Sequence, residues 1–165
     1  MNDQAAKLRK MTQENEVKEK KNSNTRIITV ASGKGGVGKS NITLSLGLSL
    51  QKLDQRVLLI DGDLGMANLD ILLGVTPSYN LSHVLSGKCN IEEAIFQGPE
   101  NLSILPGTSG VEEFIDIDYR KVIKLLEISS HLEDDYDIIL IDVGAGAHAS
   151  VINFLMAADQ SLIIL

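Results

Sequence analysis

A chain of 165 residues, 44% of them hydrophobic, can bury the core of one domain. Its single cysteine, Cys89, excludes an internal disulfide and a cysteine-held metal cluster, and a reducing cytoplasm is the default setting for such a chain. The net charge of −7 is uneven: residues 1–26 carry seven Lys and Arg against four acids, +3, which leaves −10 on the body and argues against a nucleic-acid surface there.

Residues 1–25 form a leader of lysines and glutamates with few apolar side chains, too poor in them to order itself. It contains no apolar stretch of signal-peptide type, and the chain has no run long enough to span a bilayer. From Arg26 the pattern changes. Short β-branched apolar runs at 26–31, 56–61, 102–105, 137–142 and 161–165 read as strands. Between them, helices are expected at 40–53, 69–73, 78–85, 91–96, 119–132 and 148–157. Continuous apolar strands alternating with helices predict an α/β fold, a parallel sheet covered on both faces, with ligands bound at the C-terminal ends of the strands. The chain ends within an apolar run, which predicts a fragment whose C-terminal part is missing.

The first strand leads into SGKGGVGKSN, which satisfies G-x-x-x-x-G-K-[ST] through Gly33, Gly38, Lys39 and Ser40. Between a strand and a helix, such a loop points backbone N–H groups at phosphates, so Gly33, Lys34, Gly35, Gly36, Val37, Gly38, Lys39, Ser40 and Asn41 are the expected nucleotide contacts. Lys39 would neutralise the β- and γ-phosphates of ATP, and the Ser40 hydroxyl would ligate Mg²⁺. Lys34 is a second lysine inside the loop: a solvated rim residue, or a cation reaching a phosphate held by a neighbouring subunit. Asp61 and Asp63 follow the second strand two residues apart and share a face in extended chain. They could serve the metal and the attacking water, or cap the next helix. Asp142, ending DIILID, stands where a strand-end carboxylate holds Mg²⁺ through water. His83, His131 and His148 read as structural or surface residues, Cys89 as a small side chain between helices, and Phe96, Phe114 and Phe154 as packing residues.

The motif K-G-G-V-G-K-S resembles the deviant Walker A ATPases, the MinD/ParA-like P-loop NTPases of the SIMIBI class, over residues 26–165. That resemblance implies a weak, Mg²⁺-dependent ATPase that closes as an ATP-dependent homodimer, with Lys34 acting across the sandwich. It implies Asp63 as the hydrolytic carboxylate and Asp61, with Ser40 and Asp142, at the metal. Many relatives have Thr or Ser where this chain has Val143, which leaves the γ-phosphate switch beside Gly144 open. The leader sharpens the likeness: D-Q-A-x-x-L-R at Asp3 to Arg9, followed by D-G-D-L-G-M-A-N-L-D at 61–70, is similar to the FlhG (FleN, YlxH) family that sets flagellar number and position. Members use this leader on the GTPase FlhF, are cytoplasmic and reversibly peripheral on the membrane through a C-terminal helix, and meet flagellar switch and C-ring proteins. On composition alone Gln4 is a solvated side chain. The resemblance instead implies that Gln4, Leu8 and Arg9 activate the partner GTPase. The adenine-contacting loop and the membrane helix are expected beyond Leu165. Two other readings stand beside this one: a nucleotide-gated binding module with negligible hydrolysis, and a division-site or partition ATPase.

Overall fold

The computed structural model describes residues 25–63, 67–107, 119–132 and 134–165. Among these residues six strands form one sheet in the order β3-β4-β2-β5-β1-β6. The strands are β1 (Arg26–Ser32), β2 (Val57–Gly62), β3 (Phe96–Gln97), β4 (Ser103–Leu105), β5 (Ile138–Ala145) and β6 (Gln160–Ile164). All neighbours pair parallel except β3, which runs antiparallel to β4. The helices are α1 (Lys39–Gln51), α2 (Leu69–Leu73), α3 (Leu81–Leu85), α4 (Ile91–Ala94), α5 (Tyr119–Ser129) and α6 (Ala149–Ala157).

The alternation of side chains along a strand sorts the apolar runs between two cores. Leu58, Ile60, Ile139, Ile141 and Val143 face one side, where α3, α4, α5 and α6 bring Leu81, Val84, Ile91, Val122, Leu125 and Phe154. Val57, Leu59 and Leu140 face the other, against Leu44, Leu46, Leu48 and Leu50 of α1 and Leu69 of α2. Burial on both faces explains why these strands read as unbroken apolar runs. At the N-terminal margin of the sheet, Arg56 donates to Asp137 at 2.8 Å and to the carbonyl of Asp134 at 2.6 Å, which ties the starts of β2 and β5 together. That ion pair holds the Asp137 carboxyl down at about 2. No helix of the described residues is long and apolar enough to cross a membrane.

Several boundaries differ from the sequence reading, each for a local reason. The helix expected over 91–96 stops at Ala94, and Phe96 pairs with Ile104 as β3. Ile95 is already extended, Gly98-Pro99 follows, and Glu100 and Asn101 take positive φ (52° and 63°), so the chain turns back into β4. The parallel sheet therefore carries one antiparallel edge strand. The helix expected from Ser78 begins at Leu81, because the Asn80 side chain accepts from the N–H groups of Ser82 and His83 while His83 Nδ1 accepts from the Asn80 N–H. Phe154 is fully buried and Phe96 packs at the edge of the second core, whereas Phe114 lies outside the described residues.

Candidate nucleotide site

The strand order places the C-terminal ends of β1, β2 and β5 side by side, and the loops leaving them close a cavity of about 690 Å³. Lys34, Lys39, Ser40, Asp63 and His148 are among its lining residues. A second hollow of about 660 Å³ opens at the opposite end of the strands, lined by Gln51, Arg56, Gln97 and Tyr136 among others. It lacks the glycine loop and the helix N-terminus, so the chemistry belongs to the first.

The loop between β1 and α1 owes its shape to two glycines. Gly36 and Gly38 have φ of 75° and 85°, a region costly for residues with a Cβ. A Cβ built on either would meet nothing within 4 Å, so backbone conformation and not crowding demands glycine there. The Ser32 hydroxyl donates to the Lys34 carbonyl at 2.9 Å, and the Gly146 N–H donates to the Ser32 carbonyl at 2.8 Å, tying the loop to the end of β5. Lys34 is exposed on the cavity rim, and Asn41 also lines it. Gly33 and Val37 belong to the loop but are not among the lining residues.

Lys39, the first residue of α1, turns inward. Its ammonium lies 2.6 Å from Asp142 Oδ1, with the two side chains 8% and 1% exposed. The Thr43 hydroxyl lies 3.2 Å from the same oxygen. Ser40 Oγ is 3.5 Å from the ammonium. In register beside Asp142 on β2 stands Asp61, also 1% exposed. Both of its oxygens are engaged by backbone: Oδ1 accepts from the Asp63 N–H, and Oδ2 from those of Asn68 and Leu69 at the start of α2. Burial pushes its carboxyl up to about 7, the Leu69 and Asp63 N–H groups pull it back, and the neighbouring Asp142 charge adds to the rise. Gly107, two residues past β4, packs on this group; a Cβ there would lie 2.8 Å from the Asp61 carbonyl oxygen and 2.9 Å from Asp61 Cγ. Asp63 reaches across to the C-terminal end of β5, where a Cβ on Gly144 would stand 3.4 Å from its Oδ1.

The structure thus brings Lys34, Lys39, Ser40, Asn41 and Asp63 to one cavity, with Asp142 beneath Lys39. Asp61 and Asp142 are not among the lining residues, and Asp61 anchors the segment that carries Asp63. Sequence reasoning missed Thr43, Gly107 and the cavity-facing position of His148, which precedes α6 as its N-cap. Gln4, Leu8 and Arg9 lie outside the described residues. Mg²⁺ is usually held by one or two carboxylates together with phosphate oxygens and waters, and the hard oxygen donors of Ser40 and Asp142 are of that kind.

A family profile described as an AAA domain matches residues 25–165. The chain belongs to that family. Within it, the relatives are MinD-like. Antiactivator FleN of Pseudomonas aeruginosa is 37% identical over 139 residues, covering 84% of this chain and 50% of that protein. The flagellum site-determining protein YlxH of Helicobacter pylori is 38% identical over 141 residues, covering 86% of this chain and 48% of its own length. Among solved structures, the septum site-determining protein MinD complexed with Mg-ADP from Pyrococcus horikoshii OT3 gives a TM-score of 0.73. It is 39% identical and covers 85% of this chain and 57% of that one. The six-stranded, mostly parallel sheet is therefore the fold of the MinD-like P-loop ATPases. This MinD-like chain spans about half the length of the curated relatives it matches.

Proposed function

We propose that this MinD-like chain is the nucleotide-handling part of a weak, Mg²⁺-dependent ATPase whose ATP-bound form is a homodimer. The observation that carries the reading is the second loop lysine. Lys34 stands exposed on the rim of the cavity while Lys39 serves its interior, so the two cations have separate stations. An exposed cation on the rim fits a phosphate held by a second copy, as an arginine finger does.

In this reading the loop N–H groups and Lys39 bind the β- and γ-phosphates, and Ser40 and Asp142 hold Mg²⁺. The metal, when bound, neutralises charge developing on the transferring phosphoryl group. Asp63 orients the attacking water and accepts its proton. Asp61, its oxygens on three backbone N–H groups, holds Asp63 and the start of α2 in place beside Asp142.

The likeness to FleN and YlxH supports a role in flagellar number and position for the longer protein, acting in the cytoplasm and reversibly on the inner face of the membrane. Residues 1–25 would be the activator tail, with Gln4, Leu8 and Arg9 stimulating an FlhF-type GTPase, and residues 26–165 the ATPase domain.

The test combines turnover with assembly. Lys39→Ala should abolish ATP binding in calorimetry. Asp63→Ala should bind ATP, lose turnover and sediment as a dimer, and Lys34→Ala should lose both dimer and turnover. A monomeric ATP-loaded Asp63→Ala protein would refute the dimer. A peptide of residues 1–20 should raise GTP hydrolysis by the FlhF-type GTPase, and Gln4→Ala should blunt the rise; a peptide without effect would refute the tail's role.

A further inference from the structure

Three groups meet at one oxygen. Asp142 Oδ1 lies 2.6 Å from Lys39 Nζ and 3.2 Å from Thr43 Oγ1. All three side chains are buried, Thr43 completely. Thr43 follows Lys39 by one helical turn, so the two stack on the same face of α1. Its hydroxyl has one proton and two acceptors in reach, the Lys39 carbonyl at 2.9 Å and Asp142 Oδ1 at 3.2 Å. Both lie within hydrogen-bond distance, and the single proton serves one of them at a time. Ser40 Oγ, at 3.5 Å, is too far to hold the ammonium strongly.

The loop lysine cannot serve a phosphate and this carboxylate at once. A phosphate that draws Lys39 outward leaves Asp142 as a buried charge without its counterion, which is costly unless another cation replaces it. A divalent cation, in turn, cannot use Oδ1 while Lys39 covers it. Each ligand therefore removes the obstacle to the other.

We propose that the Lys39–Asp142 pair is a latch that couples phosphate binding to divalent-cation binding. We assign to Thr43 the part of a positioning residue, turning its hydroxyl from the Lys39 carbonyl onto Asp142 Oδ1 as the lysine leaves. The carboxylate then keeps its orientation with one lone pair satisfied. This rests on the reading of the cavity as a Mg²⁺-nucleotide site and adds the order and coupling of its two ligands, together with a residue that touches neither.

Calorimetry of ADP binding, run once in EDTA and once in Mg²⁺, separates the two ligands. Asp142→Asn keeps the shape but releases Lys39, so metal-free ADP affinity should rise about tenfold while the gain on adding Mg²⁺ disappears. Thr43→Val, which removes only the hydroxyl, should leave metal-free affinity unchanged and cut the Mg²⁺ gain by about three- to tenfold, and Thr43→Ser should restore it. The Thr43 pair tests the idea even where Asp142→Asn does not fold. Metal-free affinity of Asp142→Asn at or below the wild-type value overturns the latch. Equal losses for Thr43→Val in both buffers, without rescue by Ser, overturn the role of Thr43. A wild-type chain that binds no ADP in either buffer overturns the nucleotide reading, and the latch with it.

Discussion

Replacing Asp61 by Asn should flatten the dependence of folding stability on pH. The folded chain holds a proton on Asp61 up to about 7, because the carboxyl is buried and faces Asp142 across β2 and β5. The unfolded chain releases that proton near the ordinary 3.8. Between these values the folded state binds more protons, so stability is fully present below about 4, declines as pH rises and levels off above about 7. A shift from 3.8 to about 7 corresponds to about 4 kcal/mol across the whole window, and to roughly 2–3 kcal/mol between pH 5 and 7. Urea unfolding of wild type and Asp61→Asn at pH 5, 6, 7 and 8 reads this directly. The variant keeps one accepting oxygen and puts an NH2 in place of the other, so either the Asp63 N–H or those of Asn68 and Leu69 lose their acceptor; it should be less stable overall, but its curve should lack the decline. Parallel curves for the two proteins would refute the argument, because every other titrating group is common to both.

Phe154→Ala on α6 should cost about 3–5 kcal/mol in the same unfolding assay, since it removes the largest fully buried side chain from the core beneath that helix. Gly107→Ala should cost about 1–3 kcal/mol, because its Cβ would collide with the Asp61 backbone and carboxyl carbon, neither of which can rotate aside. Gly38→Ala should cost about 1–2 kcal/mol through its positive φ and should also weaken nucleotide binding, read by calorimetry, by disturbing the N–H groups at the start of α1. In all three cases circular dichroism should show the secondary structure retained at low temperature.

The order of strands and helices was legible because both faces of the sheet are covered, which turns β1, β2 and β5 into apolar runs with little else in them. The cavity was legible through spacing: a loop of fixed length between strand and helix leaves little freedom over where Lys34, Lys39 and Ser40 can go. β3 was hidden, because two residues carry no period and IEEAIF suits a helix as well as a turn into an edge strand. Thr43 was hidden for another reason. A threonine among the leucines and serines of α1 carries no mark that it will face a carboxylate, and only the packing of α1 against β5 makes it do so. Asp61 was legible as a strand-end carboxylate, and its bonds to the Asn68 and Leu69 N–H groups fit the helix-capping alternative weighed for it. That the Asp63 N–H joins those two on the same carboxylate carries no mark in the sequence.

The antiparallel β3 also decides how this sheet behaves toward other molecules. A strand of two residues that runs into Gly98 and Pro99 offers almost no row of free backbone donors and acceptors, so that margin is a poor template for a foreign strand. A lysine or proline introduced at β3 would therefore gain little against strand-to-strand association at that margin.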